Sequence, residues 1–147
     1  MPSTHLSLHY HIVFGTKNHE PVIQPSWRGK LHAYLGELSA RQMELPRAWA
    51  ASPITCILLV GLRATHCLAD VLRELKSVSS GWARDEIRVR NFAWQEGYGG
   101  FTVSASQCET VRRYNEQQEE HHHTRTFREE YLELLRRHKI EFDERYL

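Results

Sequence analysis

The chain has 147 residues, of which 41% are hydrophobic and 25% charged, and its formal net charge is +1. This length suits one domain with its own core, and the composition is that of an ordinary globular protein. There is no apolar run long enough to cross a membrane and no signal-peptide pattern in residues 1–8, so we expect a cytoplasmic protein. The near-neutral charge excludes a uniformly basic DNA-binding surface, so any DNA contact must be a local patch. The three cysteines, an odd count without metal-site spacing, predict reduced thiols.

Three segments in the first half of the chain have periodic patterns. Apolar residues at every second position from Leu6 to Phe14 predict a strand. Pro25 and Ser26 precede apolar residues at helical spacing, which predicts a helix. The dense apolar run at residues 54–62 predicts a buried strand. Residues 41–51, between that helix and that strand, should hold a hairpin strand. Their alternation and turn signals are poor, however, and whether they form a strand stays open.

The second half of the chain predicts mainly helices. Apolar residues from Leu68 to Val78 recur at helical spacing, and we expect this helix to end at Gly81. Residues 92–94 and 101–103 predict short strands on either side of a glycine-rich turn. Ser106 and Glu109 have the spacing of a capping box, which predicts a third helix to about residue 122, and residues 126–138 predict a fourth.

This order of elements defines the expected fold class. Strands that alternate with helices, together with a hairpin, are typical of an α+β domain with an antiparallel sheet and helices on one face. The absence of repeats and low-complexity linkers in the sequence favours one domain over residues 1–147. Its core should span about residues 5–125, followed by a helical C-terminal tail at residues 126–147.

Tyr114 and Gln118 are the residue pair with the clearest chemical meaning. They lie four residues apart on the third predicted helix, which puts both side chains on one face. A tyrosine hydroxyl can attack a phosphodiester and form a covalent intermediate. An amide oxygen is a suitable ligand for Mg²⁺ or Mn²⁺, which would stabilise charge on the phosphate. Taken alone, such a pair is more often two ordinary surface residues.

Several segments resemble the single-tyrosine HUH transposases of the insertion-sequence 200/605 family, which include the REP-associated tyrosine transposases. The segments, in order, are LHYHIVFGTKN (8–18), VLRELK (71–76), FAWQEGYG (92–99), FTVS (101–104), VRRY (111–114), QEEHH (118–122), TF (126–127) and EEY (129–131). The resemblance covers nearly the whole chain except roughly residues 41–57.

The resemblance implies a ferredoxin-like or RRM-like antiparallel sheet, a homodimer, and metal-dependent cutting and rejoining of single-stranded, hairpin-forming DNA. The cofactor would be Mg²⁺ or Mn²⁺. The family's nucleophile corresponds to Tyr114, on a C-terminal helix, and its helix-borne metal ligand to Gln118.

The chain departs from this family at the other two metal ligands. The family has a His–hydrophobic–His pair on a central strand, and alignment on the apolar run places this pair at Thr55 and Ile57. Isoleucine has no donor atom, so we expect metal binding and catalysis to be impaired. A literal His–hydrophobic–His occurs at residues 9–11, on the first strand, and three histidines follow at residues 121–123. We interpret the former as residues that pack or hydrogen-bond on one sheet face and the latter as a solvated helix end.

One hypothesis explains the departure as two compensating frame changes, the first before Trp49 and the second near Leu58. Synonymous codons for residues 50–57, read one base earlier, can spell Gly-Gly-Ile-Ala-Asp-His-Val-His, which contains the family motif. The nucleotide sequence of the gene decides this hypothesis.

Five basic residues are candidate phosphate contacts: Arg63, Arg73, Lys76, Arg112 and Arg113. Trp82, Trp94 and Tyr98 are candidates for stacking on unpaired bases, although for each of them taken singly a core residue is the favoured interpretation. The functional alternatives are a transposase with impaired catalysis, an inactive remnant that binds hairpin DNA and, ranked lower, an RNA-binding module.

Overall fold

The computed structural model describes residues 3–42, 44–110, 112–113 and 127–143, with the backbone alone at residues 42, 44–52, 127–128 and 130. Four strands and three helices with complete bounds follow one another along the chain. They are β1 (His9–Gly15), α1 (Pro25–Gln42), β2 (Glu44–Ser52), β3 (Thr55–Gly61), α2 (Leu68–Asp85), β4 (Gly99–Val103) and α3 (Phe127–Arg137). No helix among the described residues is long and apolar enough to cross a membrane.

The four strands form one antiparallel sheet in the order β2-β3-β1-β4. With the chain order βαββαβ, this is the ferredoxin-like arrangement, so the expected α+β fold class is confirmed. β1 and β3 are the central strands, and β3 is buried along its whole length. This burial follows from its apolar run, because a strand covered on both faces does not need polar alternation.

Helices α1 and α2 cover one face of the sheet. Ile12 and Phe14 of β1 and Leu58 and Val60 of β3 point to this face and join apolar residues of both helices in the main core. The opposite face carries a smaller apolar cluster in which Val13 and Phe101 pack against Leu135 of α3. The expectation of helices on only one face is therefore incomplete.

Three local differences from the sequence-based expectations have physical causes. α2 continues through Gly81 to Asp85, because Ala83 beyond the glycine is fully buried in the core. Residues 92–94 contribute only a single bridge, between Thr16 and Trp94, rather than a strand. The capping box does not form, since Ala105–Gln107 is a turn of 3-10 helix and residues 108–110 and 112–113 continue as α-helix.

Residues 44–52, which the sequence left open, do form strand β2 beside β3. The pairing contains two register irregularities, between Glu44 and Arg47 and between Trp49 and Ser52. Such irregularities match the poor alternation of the segment, because register is set by a regular alternation of side chains.

Candidate functional site

The candidate site lies on the sheet face opposite α1 and α2, which we call the site face. Within β1, the site face is the side of the strand on which His11, Val13 and Gly15 lie. These positions pair with Leu59, Ile57 and Thr55 of β3, respectively. Both positions expected to hold metal-binding histidines therefore face the same side of the sheet, on a central strand.

The side chains at these two positions make a poor cation site. Ile57 is only 5% exposed, pairs with Val13 and supplies no donor atom. Thr55 is fully buried, and its Oγ1 has no hydrogen-bond partner among the described residues. Between them, Cys56 points into the main core, where burial raises the pKa of its thiol and keeps it protonated. A divalent cation needs several oxygen or nitrogen ligands, and the residues on β3 offer a single hydroxyl.

In the described part of this face, His11 is a buried titratable side chain. It is 8% exposed, and its Nε2 lacks a hydrogen-bond partner within the described part of the chain. Burial lowers the pKa of His11 to about 4, with a smaller contribution from His138 beyond the end of α3. The imidazole is therefore neutral at neutral pH. Among the described residues, no group of three potential metal ligands includes His11.

Gly15 marks the edge of the site face, where β1 meets the segment of residues 93–98. The amide of Gln95 donates to the Gly15 carbonyl at 2.9 Å, and the amide of Thr16 donates to the Ile54 carbonyl at 2.8 Å. A Cβ atom at Gly15 would lie 2.9 Å from the Ile54 carbonyl oxygen and 3.4 Å from Oε1 of Gln95. The Gln95 carboxamide thus lies over Gly15, the residue paired with Thr55.

Two of the predicted basic residues, Arg73 and Lys76, lie on α2 near this edge. The Lys76 ammonium donates to the carbonyls of Glu96 and Gly97, each at 3.1 Å, and lies 5.7 Å from the ring centre of Phe14. Burial lowers the pKa of Lys76, while Glu96 opposes this shift. Arg73 is exposed and pairs with Asp70. Both residues line a cleft of about 420 Å³ between α2 and residues 93–98.

The three aromatic candidates for base stacking differ in accessibility. Trp94 is a core residue that is 7% exposed and donates to Ser79, so it is unavailable as a stacking surface. Trp82 already stacks on Tyr34, with ring centres 4.3 Å apart. Tyr98 is 36% exposed and lines the cleft. Of the three, Tyr98 therefore has the most accessible ring.

The remaining predicted basic residues lie away from this cleft. Arg63 follows the far end of β3, roughly 20 Å along the strand from Thr55 at the usual rise per residue. Arg112 and Arg113 follow the turn after β4, and both pair with Glu109, whose pKa the hydrogen bond from Arg112 lowers. The structure does not bring the five basic residues together in one patch.

Tyr114, Gln118 and the three histidines at residues 121–123 lie outside the described residues. The position of the predicted nucleophile relative to Thr55 and Ile57 therefore stays a prediction.

Sequence reasoning did not single out two residues near the site face. Gln95 lies in the segment FAWQEGYG that resembles the family, but its place in the sequence indicates no chemical role. Tyr131 of α3 lies close over β4, since a Cβ atom at Gly99 would be 2.6 Å from its ring. The signal for Tyr131 was the glycine pair before Phe101, which permits the close approach of a ring to the strand.

Comparison with known proteins identifies the family to which the chain belongs. A family model described as "Transposase IS200 like" matches residues 4–118. This match covers most of the chain, so the chain belongs to the IS200-like transposase family. Its class of function is accordingly DNA transposition. No curated protein matches the chain.

Two solved structures have a similar fold. A proposed transposase from Deinococcus radiodurans R1 has a TM-score of 0.58 and 20% identity, over 80% of this chain and 95% of that one. A REP-associated tyrosine transposase bound to a REP hairpin has a TM-score of 0.51 and 10% identity, over 78% of this chain and 67% of that one. At these identities the similarity concerns the fold.

Proposed function

We propose that this chain binds single-stranded, hairpin-forming DNA as a transposase whose strand cleavage is impaired. Family membership supports the DNA substrate. A structural neighbour bound to a REP hairpin supports a folded single strand as the form of that DNA. The observation that carries the impairment is the apolar, buried character of the site face at Thr55 and Ile57.

The proposed nucleophile is Tyr114, with Gln118 one helical turn further on. A tyrosine oxygen can form a bond to the phosphorus of a phosphodiester while the bond to the departing sugar oxygen breaks. The assignment rests on the resemblance of residues 111–114 and 118–122 to the family. Arg112 and Arg113, directly before Tyr114, would contact phosphates of the same strand.

The metal ion expected for the family, Mg²⁺ or Mn²⁺, does not fit the residues on β3. Loss of two imidazoles leaves the Thr55 hydroxyl and the Gln118 amide as the candidate protein ligands. Water would have to complete the coordination on a face where Val13, Ile57 and Leu59 are buried and apolar. The free energy needed to remove a cation from water exceeds what so few ligands can supply by coordination, so we expect very weak metal binding.

The frame-change hypothesis accounts for this combination of an intact fold and an altered site. It places the altered residues between Trp49 and Leu58, and β2 shows its second pairing irregularity between Trp49 and Ser52. The restored reading frame would place histidine at positions 55 and 57 and a valine between them, so β3 would keep its apolar side chain on the core face. Sequencing the gene tests the hypothesis, because the required third bases are either present or absent.

The decisive experiment compares three forms of the chain on one labelled DNA hairpin in the presence of Mn²⁺. The forms are the unaltered chain, the double variant Thr55→His with Ile57→His, and this double variant with Tyr114→Phe added. We expect nicking and a covalent protein–DNA adduct with the double variant alone. Calorimetric titration with Mn²⁺ gives an independent readout, with heat of binding expected only where both histidines are present. Metal-dependent nicking by the unaltered chain would contradict the proposed impairment.

The two alternative functions make different predictions. A binding-only remnant would retain the hairpin but form no adduct even after both histidines are introduced. An RNA-binding module would need exposed aromatic rings on the sheet. Phe101 on the site face is instead 2% exposed and lies against His138, with ring centres 4.8 Å apart. This burial disfavours the RNA-binding alternative.

The proposed assembly is a homodimer, by resemblance to the family. Light scattering coupled to gel filtration measures the mass directly, and a monomer at the concentrations of the cleavage assay would contradict the proposal.

A further inference from the structure

The cleft between α2 and residues 93–98 has features that the proposed function leaves unexplained. Arg73, Lys76 and Ser77 line it from α2, and Gln95, Glu96 and Tyr98 line it from the other side. Its volume of about 420 Å³ lies within the range of small-molecule sites. We call it the α2 cleft.

The walls of the α2 cleft are held in place by hydrogen bonds within the described structure. Lys76 joins α2 to the opposite wall through the carbonyls of Glu96 and Gly97. Behind this wall, the buried indole of Trp94 donates to Ser79 of α2 at 2.9 Å. A ligand therefore meets a preformed site and does not have to order the loop, which favours binding.

The lining matches the parts of an unpaired nucleotide. Tyr98 presents an accessible ring, and a base stacks on an aromatic ring whatever its sequence. Arg73 has a side chain that is 76% exposed, and its exposed ion pair with Asp70 is the kind that contributes little, so a phosphate can compete for the guanidinium. The lining residues themselves carry two cations, Arg73 and Lys76, and one carboxylate, that of Glu96, while Asp70, which pairs with Arg73, lies outside the lining.

Gln95 connects the α2 cleft to the site face. It is a lining residue of the cleft, and its Oε1 lies over Gly15, the residue paired with Thr55. Its carboxamide has no hydrogen-bond partner among the described residues. A single DNA strand that leaves the cleft past Gln95 arrives at the edge of the site face. The occupant should therefore be part of the same DNA strand and not a separate small molecule.

We infer that the α2 cleft binds one unpaired nucleotide of the single-stranded DNA next to the site face. The base stacks on Tyr98, the phosphate contacts Arg73, and the Gln95 carboxamide hydrogen-bonds the strand as it passes. This inference rests on the proposed function, since it names the part of the DNA that the cleft holds.

The test uses a fluorescein-labelled DNA hairpin with a single-stranded thymidine tail, in which an abasic site is moved along the tail. Fluorescence anisotropy gives the affinity of the unaltered chain, Tyr98→Leu, Arg73→Ala and Gln95→Ala. Arg41→Ala is the matched control, because Arg41 is a similarly exposed arginine with a partner on its own helix, on α1. Circular dichroism checks that each variant is folded.

We expect one tail position at which the abasic site weakens binding of the unaltered chain about tenfold, the usual effect of losing one base stack. At this position Tyr98→Leu should be insensitive to the abasic site, because the stack is already absent. Arg73→Ala should lower the salt dependence of binding by about one phosphate contact, and Arg41→Ala should not.

The two proposals fail in distinguishable ways. If the unaltered chain binds the hairpin but no tail position is coupled to Tyr98, the inference about the α2 cleft is overturned while the proposed function stands. If the unaltered chain does not bind the hairpin at all, both are overturned. Equal loss of affinity in Arg73→Ala and Arg41→Ala would show general charge attraction and would also overturn the cleft.

Discussion

The buried histidine of the site face gives a quantitative prediction for the pH dependence of stability. His11 has a pKa of about 4 in the folded chain, against 6.5 for an unperturbed histidine. The unfolded chain therefore binds a proton more readily than the folded chain, and the free energy of unfolding falls as the pH drops below 6.5. The gap between the two pKa values corresponds to about 3 kcal/mol in full, of which about 2 kcal/mol is lost by pH 5.

Urea unfolding followed by tryptophan fluorescence at pH 7 and pH 5 measures this loss. His11→Leu removes the titrating group and should be about 2 kcal/mol less sensitive to the same change in pH. His5→Leu is the control, since it removes an exposed histidine and keeps the buried imidazole of His11 in place. If His11→Leu loses as much stability between pH 7 and pH 5 as the unaltered chain, then His11 is not buried as described and the reasoning fails.

Three further substitutions test the packing around the site. Leu58→Ala removes a fully buried side chain from β3 and should lower the free energy of unfolding by about 2–5 kcal/mol in urea; a loss below 1 kcal/mol would contradict the described core. Gly15→Ala places a Cβ 2.9 Å from the Ile54 carbonyl and should cost about 1–3 kcal/mol, and an unchanged midpoint would refute the close approach. Lys76→Met should speed hydrogen exchange in residues 93–98, where loss of two hydrogen bonds loosens the cleft wall; unchanged protection would argue against these bonds.

The central part of the fold could be predicted because its signals are local. Alternation along β1 and the apolar run of β3 predict strands, and the helical spacing of apolar residues predicts α1 and α2. The prediction that α2 ends at Gly81 was wrong. Gly81 adopts ordinary helical geometry, and the buried Ala83 beyond it favours continuing the helix. That preference depends on tertiary packing, which no local pattern reveals.

The candidate site was predictable in its residue types but not in its arrangement. The sequence indicated that Thr55 and Ile57 occupy the expected ligand positions, and the structure puts both on one sheet face. The predicted strand at residues 54–62 already placed Arg63 at the opposite end from Thr55, but the sequence could not show that Lys76 of α2 contacts residues 96 and 97, since that contact depends on tertiary packing. Nor could it show that Trp94 is buried while Tyr98, four residues on, remains exposed, because both are aromatic residues in a turn-rich segment.

The packing of α3 on the site face bears on how this family can vary. The match to the family model ends at residue 118, whereas α3 begins at Phe127. The helix that covers Val13 and Phe101 thus lies outside the matched region, although residues 126–127 and 129–131 also resemble the family. A relative whose chain ended at the position of residue 118 would leave this apolar cluster of the sheet exposed. A different C-terminal tail, a second subunit or the nucleic acid itself could then cover this apolar cluster without any change in the strands.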